Sequence, residues 1–351
     1  MKHVLVTGGC GFMGSHFIRH LYERYPDYCI YNLDLLTYAG NPDNLQDIEQ
    51  KEIERVNTEK RYHFIYGDIC DDRLLDILFQ RYGFDLVVNF AAETHVDRSI
   101  VNMSDFIRTN IGGVRALIEA VRKHKTPRFI HISTDEIYGS VDEGYSDELF
   151  PLRPSNPYSS SKAAADLIVQ SFIRTHRVPA LIVRGSNNFG PHQYPEKLIP
   201  LAITNIIEGN KIPVHGAGTH VRSWIHVKDF CSAVDAVLHQ APDFEIYNIP
   251  GIEKTNMEIL GIVARHMGIT LADHTVHISD RPGADTRYAV NGNKLRSTLD
   301  WNHALPVDES LGTVVDWYLQ HKEWWLNIKR RREFQDHYQK PLRLALSGRP
   351  H

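Results

Sequence analysis

Short runs of apolar and β-branched residues alternate with longer stretches of helical periodicity through the first half of the chain. The apolar runs occupy residues 3–6, 29–33, 62–66, 85–90, 128–133 and 180–183. Helical patterns separate them at about 14–25, 71–82, 105–124 and 158–176. Several runs are apolar almost throughout, as strands buried on both faces are. This alternation predicts a parallel sheet with helices on both of its sides.

The pattern changes after Gly190. Prolines and glycines cluster at 191–218, and helical stretches follow at about 227–239 and 255–267, with the strand-like run EIYNI between them. The run HTVHISDRPGADTRYAV indicates a strand and a polar loop, and a last helix is predicted at about 307–325. We expect a smaller unit here that returns one strand and one helix to the first sheet.

Composition excludes some classes of function. The 351-residue chain is 42% hydrophobic and 23% charged, which allows one large domain or two associated domains. Its formal net charge is −4, from 39 basic and 43 acidic residues, and this balance argues against nucleic-acid binding as the main task. The basic run at 329–332 is predicted to be a solvated face of a polar C-terminal helix.

Cysteine spacing and hydropathy bear on the compartment. Cys10, Cys29, Cys70 and Cys231 show no paired spacing, so we predict buried thiols in a reducing compartment. The N-terminal apolar stretch is too short for a signal peptide, and no segment approaches the roughly 20 apolar residues of a membrane span. We therefore expect a soluble cytoplasmic protein that binds neither membrane nor nucleic acid.

The first predicted strand runs into a glycine-rich turn and a helix, in VLVTGGCGFMGSHFIRHL. Gly8, Gly11 and Gly14 suit a turn with positive φ and a close approach of a pyrophosphate to the backbone. The helix N-terminus adds unpaired N–H groups and a favourable dipole. His16 and His20 have the spacing of a metal pair, but no third ligand follows at a convincing spacing, so we predict no metal.

Asp34 ends the second predicted strand, 20 residues beyond Gly14. A carboxylate there accepts hydrogen bonds from the adenosine ribose and repels a 2′-phosphate, which favours NAD over NADP. An ordinary turn aspartate is the alternative. Further cofactor contacts are predicted in the glycine turn and at the ends of neighbouring strands, at Phe12, Met13, Leu35, Thr37, Asp68, Ile69, Ala91 and Ala92.

These features together predict an α/β protein. We expect a Rossmann-type doubly wound parallel sheet with a smaller C-terminal α/β substrate-binding domain. Residues 1–190 are predicted to form the NAD-binding domain, joined by returning segments at about 225–250. Residues 191–351 are predicted to bind mainly the substrate.

Two carboxylates, Asp135 and Glu136, stand side by side where the fifth strand is predicted to end, in STDEIYG. Neighbouring acids raise each other's proton affinity and burial raises it further, which suits a proton-transfer site. A solvated acidic loop is the alternative. In a regular strand the two side chains would face opposite sides, so the backbone has to turn at 134–136 if both are to reach one substrate.

Tyr158 and Lys162 lie four residues apart in NPYSSSKAAAD, on one face of a helix that begins after Pro157. A tyrosine with a pKa near ~10 is a poor base at neutral pH. We expect the Lys162 ammonium, with the positive charge of an oxidised nicotinamide, to lower that pKa. The tyrosinate then takes a proton from a hydroxyl while hydride leaves the same carbon. The spacing alone is common and mostly structural, but the glycine motif favours the catalytic role.

These motifs resemble the extended short-chain dehydrogenase/reductase family, over nearly the whole chain. Within that family, LDLLTYAGNPDNL, AAETHVDRSI, STDEIYG, NPYSSSKAAAD, SNNFGPHQYPEKLIP and DRPGADTRYAV are similar to the nucleotide-sugar 4,6-dehydratases, most closely those of the dTDP-glucose type. Related 4-epimerases typically have small hydroxyl or apolar residues in place of the acidic pair. GDP-mannose dehydratases lack the Asp, and CDP-glucose dehydratases pair Asp with Lys.

The resemblance implies a lyase of deoxysugar biosynthesis that converts an NDP-hexose, first of all dTDP-glucose, to its 4-keto-6-deoxy product and regenerates NAD in each cycle. Tyr158 would take the C4 hydroxyl proton with Lys162 beside it, and Thr134 would hold the C4 oxygen. Glu136 would remove the C5 proton, and Asp135 would protonate the leaving C6 oxygen.

The resemblance also implies a homodimer built on the helices near 105–124 and 158–176. These helices carry apolar residues on more than one side. A helix buried on all sides would show the same pattern. The apolar residues include Ile107, Ile111, Val114, Leu117, Ile118 and Val121.

For the sugar nucleotide, Arg222 and Arg281 match the family's diphosphate-binding arginines, whose forked donors suit two phosphates. Ordinary surface arginines are the alternative. The other implied substrate contacts are Thr94, His95, Asn187, Lys197, Leu198, His215, Asn248 and Tyr288. His95 fits a packed histidine of the core equally well.

Three positions depart from the dTDP-glucose pattern and keep alternatives open. His215 stands where the family usually has an aromatic residue, Ser223 where it has Asp, and Ala284 where it has His. A dehydratase of UDP-glucose or UDP-N-acetylglucosamine is therefore the first alternative, followed by a 4-epimerase or a uronic-acid decarboxylase. A non-catalytic dinucleotide-binding regulator is the alternative from another class, but it would not need the four catalytic side chains together.

Overall fold

The computed structural model describes residues 1–55 and 59–336 of the chain. The strands of this part are β1 (Lys2–Thr7), β2 (Tyr28–Asp34), β3 (Tyr62–Tyr66), β4 (Leu86–Asn89), β5 (Arg128–Thr134), β6 (Ala180–Gly185), β7 (Asn187–Phe189), β8 (Ile212–His215), β9 (Val221–His226), β10 (Ile246–Ile249), β11 (Ile252–Thr255) and β12 (Thr275–Ile278).

The helices are α1 (Phe12–Arg24), α2 (Gln46–Glu54), α3 (Asp72–Tyr82), α4 (Val96–Val101), α5 (Ser104–Phe106), α6 (Val114–His124), α7 (Pro157–His176), α8 (Leu198–Ile207), α9 (Val227–Gln240), α10 (Asn256–His266), α11 (Leu271–His274), α12 (Asn293–Leu299), α13 (Val307–Gln320), α14 (Lys322–Arg330) and α15 (Arg332–Phe334). A π-helical stretch, Ile107–Gly113, joins α5 to α6. Turns of 3-10 type lie at Pro42–Leu45 and Asp135–Tyr138. None of the helices in the described part is both long and apolar enough to cross a membrane.

A seven-stranded sheet forms the centre of the molecule, in the order β10-β6-β5-β4-β1-β2-β3, with every pair parallel. This confirms the predicted Rossmann-type doubly wound α/β fold. The chain winds from β1 to β3 on one side and then from β4 to β10 on the other. The carboxyl ends of β1 and β4 therefore form the switch point at which such sheets bind ligands.

Helices cover both faces of this sheet. Val4 and Val6 of β1 pack into one apolar cluster with α1 and α9, whereas Leu5 packs into a second cluster with α3, α6 and α7. Because side chains alternate across a strand, a sheet covered on both faces needs apolar residues at successive positions. This explains why the predicted strands are apolar almost throughout.

The start of α7 is fixed by its own sequence. The Asn156 side chain accepts a hydrogen bond from the Ser159 backbone at 2.9 Å, and the Asn156 backbone donates to the Ser159 hydroxyl at 3.2 Å. Pro157 opens the helix, where its missing N–H costs nothing. This reciprocal cap holds Tyr158 in the first turn, with Lys162 one turn later.

The second half adds two small sheets, β11-β9-β7 and β12-β8, within the described residues. Helices α8, α10 and α13 pack on them around Trp224. The strand and helix expected to return to the large sheet are β10 and α9. Leu295 and Leu299 of α12 pack into the same cluster as α9. Helix α12 therefore also returns to the large sheet, and the predicted returning segments do not include it.

Three details of the sequence interpretation are wrong. The last predicted helix, 307–325, breaks at His321 into α13 and α14. Helix α8 lies within 191–218, where the pattern predicted no element. Lys329, predicted to face solvent, is buried and pairs with Glu208 at 2.7 Å, because α14 packs back onto the end of α8.

Candidate active site

The glycine turn after β1 is so tight that two of its positions exclude a side chain. Gly8 has a φ of +68°, and a Cβ there would lie 2.6 Å from the Ala91 nitrogen. A Cβ on Gly14 would lie 2.3 Å from the Gly8 oxygen. The turn therefore needs glycine for its conformation and its packing, and it borders an open cleft at the carboxyl ends of the strands.

Asp34 lies in the wall of this cleft, at the end of β2. Its two oxygens accept hydrogen bonds from the backbone N–H groups of Cys10 and Leu36, each at 2.8 Å. Burial raises the pKa of this carboxyl group, although the two hydrogen bonds oppose the rise. Each oxygen can accept a second hydrogen bond, which is what the hydroxyl groups of a ribose require.

The structure brings the predicted cofactor residues together along one cleft. It runs from the glycine turn to α7 and suits an extended dinucleotide with its phosphates at the N-terminus of α1. Within the described residues, no group of three or more His, Cys, Asp or Glu side chains could hold a metal ion. The predicted cofactor residues lining the cleft are Gly8, Gly11, Phe12, Met13, Gly14, Asp34, Leu35, Thr37, Asp68, Ile69, Ala91, Ala92, Tyr158 and Lys162.

The chain turns where the acidic pair requires it. Strand β5 ends at Thr134, and a 3-10 turn follows at Asp135–Tyr138. The Thr134 hydroxyl accepts a hydrogen bond from the Glu136 backbone at 3.3 Å and caps this turn. As a result, Asp135 and Glu136 both line the cleft that contains Tyr158.

Both carboxyl groups of the pair hold protons more tightly than usual. Burial, and then the neighbouring Glu136, raise the pKa of Asp135 to about 7. Burial also raises the pKa of Glu136, while Arg222 and Lys197 oppose the rise. The Asp135 Oδ2 atom is buried without a hydrogen-bond partner among the described residues. Near neutral pH the pair can therefore hold a proton for delivery.

Tyr158 and Lys162 are both buried in this cleft, and a lowering of the Tyr158 pKa by Lys162 together with an oxidised nicotinamide stays a prediction. Burial, with the charges of Glu136 and Asp135, raises the pKa of Tyr158 in the protein alone, and a hydrogen bond with Thr134 opposes this. The Lys162 ammonium donates to the Ile132 oxygen at 2.6 Å, and burial lowers its pKa to about 8. Lys162 is thus held by the backbone of β5, one helical turn from Tyr158.

A second cleft adjoins the first, on the side of the small sheets. The two clefts share Glu136, Asn187 and Lys197, so a bound molecule at this junction reaches both. The predicted substrate residues that line the second cleft are Thr94, His95, Asn187, Lys197, Leu198, His215, Arg222, Arg281 and Tyr288.

The cationic residues of the second cleft already have partners. Arg281 forms a two-pronged ion pair with Asp97, at 2.7 and 3.0 Å. Arg222 donates to the Val221 and Asp285 backbone oxygens, and its guanidinium lies 4.2 Å from the centre of the Tyr288 ring. These contacts orient the forked donors that a diphosphate needs.

One prediction about this region is corrected, and one departure from the family pattern is located. Asn248 does not line either cleft, because it is fully buried in β10, where Oδ1 accepts from the Tyr138 hydroxyl at 2.8 Å. Ser223 is also buried outside the clefts, and its hydroxyl accepts from the Gly251 backbone at 2.7 Å. The departure at Ser223 therefore concerns packing, whereas His215 and Ala284 line the second cleft.

Known proteins are similar to this chain over most of its length. The family model described as GDP-mannose 4,6 dehydratase matches residues 5–313. A dTDP-glucose 4,6-dehydratase of Streptomyces niveus is 42% identical over 331 residues, which cover 93% of this chain and 95% of that protein. The chain belongs to the nucleotide-sugar 4,6-dehydratase family. The low-salt glycan biosynthesis protein Agl12 of Haloferax volcanii is 43% identical over 317 residues, covering 90% of this dehydratase-family chain and 98% of Agl12.

A solved dehydratase has the same fold. The crystal structure of dTDP-glucose 4,6-dehydratase from Streptomyces venezuelae, with NAD and TYD bound, has a TM-score of 0.88 and 40% identity to this chain. The match covers 93% of this chain and 100% of the Streptomyces venezuelae chain. In the chain described here, the glycines that exclude a side chain and the Asp34 carboxylate in the cleft wall are features that suit NAD.

The dehydratase clefts contain further residues that the sequence did not single out. Glu196 lines both clefts, and its Oε1 atom is buried without a partner among the described residues. It directly precedes Lys197 in the motif SNNFGPHQYPEKLIP, so the motif contained a usable signal. Tyr38 and Tyr194 also line the cofactor cleft, but no spacing rule points to them, because the fold alone brings them together.

Proposed function

We propose that this dehydratase acts on dTDP-glucose and converts it to the 4-keto-6-deoxy sugar nucleotide. The observation that carries the proposal is the turn after β5, which places Asp135 and Glu136 in the same cleft as Tyr158. Epimerisation at C4 involves one carbon and needs no such acid–base pair. Elimination of water across C5 and C6 needs both a base and an acid.

The first step is oxidation of C4. Tyr158 accepts the proton of the C4 hydroxyl group, and Thr134 orients that oxygen. Lys162, fixed on the Ile132 oxygen, contributes a positive charge on the same side of the cleft. NAD held in the cofactor cleft would supply a hydride acceptor for C4, a hydride donor for C6 and the positive charge of its oxidised ring.

The second step is loss of water. The 4-ketone acidifies the C5 proton, which Glu136 removes as general base. Asp135 gives its proton to the C6 oxygen, so that water leaves rather than hydroxide. A carboxyl group with a pKa of about 7 is about half protonated at neutral pH, so a substantial share of the protein can act as this donor. Glu136 then returns a proton to C5.

Product analysis with dTDP-glucose tests the proposal. We expect a 4-keto-6-deoxy product with alkali-induced absorbance and no net consumption of NAD. A product that is only the C4 epimer would contradict it. NAD bound to the protein without turnover of any sugar nucleotide would favour a regulator instead.

The nucleobase is the second question, because His215 and Ala284 line the second cleft where the dTDP-glucose pattern has other residues. A UDP-sugar dehydratase is therefore the second candidate. Turnover of dTDP-glucose, UDP-glucose and UDP-N-acetylglucosamine should be compared under identical conditions. The highest kcat/KM for either uridine nucleotide would replace dTDP-glucose as the proposed substrate.

We further propose a homodimer. Of the apolar residues cited for the dimer helices, Val114, Leu117, Ile118 and Val121 are buried within the protomer. The support comes instead from apolar side chains that the single chain leaves exposed near α4, α5 and α7: Ile100, Val101, Met103, Ile107 and Leu167. Sedimentation velocity should give a dimer, and Ile107→Glu combined with Leu167→Glu should give a monomer. A wild-type monomer at micromolar concentration would contradict the proposal.

We also infer a cytoplasmic setting. Cys10, Cys29, Cys70 and Cys231 are free thiols, which suits a reducing compartment. Fractionation of producing cells, followed by detection of the chain, tests this inference. Recovery outside the cytoplasm would contradict it.

A further inference from the structure

The last part of the described chain, residues 317–334, packs against loops that form the walls of the cofactor cleft. We call it the C-terminal clasp. Trp324 donates from Nε1 to Oδ1 of Asn44 at 3.0 Å, and Asn44 donates from Nδ2 to the Cys10 oxygen at 2.9 Å. Because Cys10 lies within the glycine turn, two successive hydrogen bonds join the clasp to that turn.

The clasp also holds the loop that follows β7. The Tyr318 hydroxyl donates to the Gln193 oxygen at 2.6 Å, and the rings of Trp317 and Trp324 meet His192 edge-on. His192 has a φ of +62°, a conformation that a residue other than glycine keeps only where its surroundings hold it. His192 and Gln193 both line the cofactor cleft.

A third contact covers the loop that follows β2. Phe334 and Ile328 of the clasp form a buried apolar cluster with Tyr38 and Tyr194. Both tyrosines line the cofactor cleft. The clasp thus shields the outer side of both tyrosine rings from solvent. The Tyr38 and Tyr194 rings meet edge-to-face at 5.4 Å, which joins the loops after β2 and β7.

An ionic contact completes the clasp. The Arg98 guanidinium lies 3.6 Å from the centre of the Tyr38 ring and donates to Glu333 at 3.1 Å. Its Nε atom is 3.8 Å from Glu196, which lines both clefts. Arg98 therefore connects the end of the clasp to the cofactor wall and to the junction of the two clefts.

We propose that the C-terminal clasp retains NAD between turnovers, with Trp324 and Glu333 as positioning residues that act through Asn44 and Arg98. The inference rests on the proposed function, in which the hydride returns to the product and the cofactor has no need to leave. The clasp ties three of the loops that border the cleft, those after β1, β2 and β7, to one segment. Release of the dinucleotide requires these loops to part, so the clasp contacts have to break first.

Release of NAD from the purified, NAD-loaded protein tests the proposal without any sugar nucleotide. Trp324→Phe keeps the aromatic ring but loses one hydrogen bond, so we expect NAD to dissociate about five-fold faster. Trp301→Phe is the matched control, because Trp301 donates from Nε1 to Ser232 at 2.9 Å, outside both clefts. Free NAD in ultrafiltrates, measured over time by an enzymatic assay, gives the rate.

Charge reversal provides the second arm. Glu333→Lys should speed NAD release about two- to five-fold, whereas Glu323→Lys, an exposed position on α14 with the same change in net charge, should not. Melting temperatures of all four variants separate NAD release from loss of stability. The proposal that the clasp retains NAD is contradicted if Trp324→Phe and Glu333→Lys release NAD at the rates of their controls. A wild-type protein that retains NAD but converts no sugar nucleotide would overturn the proposed function and still support the clasp.

Discussion

The cofactor cleft and the second cleft, which we propose binds the sugar nucleotide and call the substrate cleft, meet at Glu136, but different parts of the chain shape them. Backbone features shape much of the cofactor cleft: a glycine turn, the ends of parallel strands and a helix fixed by its cap. The substrate cleft is lined by charged side chains paired with one another, such as Arg281 with Asp97. The first surface is therefore complete before any ligand binds. In the second, a bound diphosphate has to share or replace existing partners.

Removing the Tyr158 hydroxyl group should have the largest effect on activity, and it tests whether the two clefts have separate roles. Tyr158→Phe should lower kcat about 10⁴-fold, at the upper end for a positioned acid or base, because no other group accepts the C4 proton. The dissociation constant of dTDP-glucose should change less than about three-fold, because the phenol belongs to the cofactor cleft. Single-turnover absorbance of NADH and isothermal titration measure the two quantities. A comparable loss of affinity would show that chemistry and binding are not divided between the clefts.

The contrast also explains what the sequence could predict. The glycine turn, Asp34 and the strand ends line one cleft, as short-range backbone rules predict, while their contacts with NAD stay a prediction. The Arg281–Asp97 pair joins residues 184 positions apart, and no local pattern reports such a contact. Asn248 was misplaced because its strand ends near the cleft while its side chain turns to Tyr138. The acidic pair was ambiguous until the turn after β5 showed that both side chains reach one cleft.

Asp135→Asn separates the two chemical steps within the cofactor cleft. Elimination should slow about 10²–10³-fold, because the amide cannot protonate the leaving C6 oxygen. Oxidation at C4 should continue, so NADH absorbance should accumulate with dTDP-glucose. The isosteric amide keeps the size of the Asp135 side chain and leaves the Thr134 cap of the turn in place. Elimination at the wild-type rate would remove Asp135 from the mechanism.

Arg281→Lys tests the paired charges of the substrate cleft. Lysine keeps the positive charge but loses the fork that holds Asp97 and suits a diphosphate, so KM should rise about ten-fold while kcat changes less than about three-fold. Arg287→Lys is the matched control, since Arg287 forms a similar two-pronged pair with Glu253 at 2.8 and 3.1 Å outside both clefts. An equal rise in KM for both variants would mean that Arg281 acts on the fold and not on the substrate.

The smallest expected effect is on the free energy of unfolding. It measures how much the burial of the Asp135 carboxylate in the turn after β5 destabilises the protein. The pKa of Asp135 is raised from 3.8 to about 7, so between these values the folded protein binds more protons than the unfolded chain. The free energy of unfolding therefore falls as pH rises through this window, and the full cost is present above pH 7. Asp135→Asn removes the titration and should stabilise the protein by about 1–2 kcal/mol at pH 8, and by less at pH 5. Denaturant unfolding at both pH values measures this, with Asp105→Asn at an exposed position as control. If Asp135→Asn changed the free energy of unfolding equally at pH 5 and pH 8, ionisation of the buried carboxylate would not destabilise the protein. The turn after β5 would then cost no more stability than the rest of the cofactor cleft.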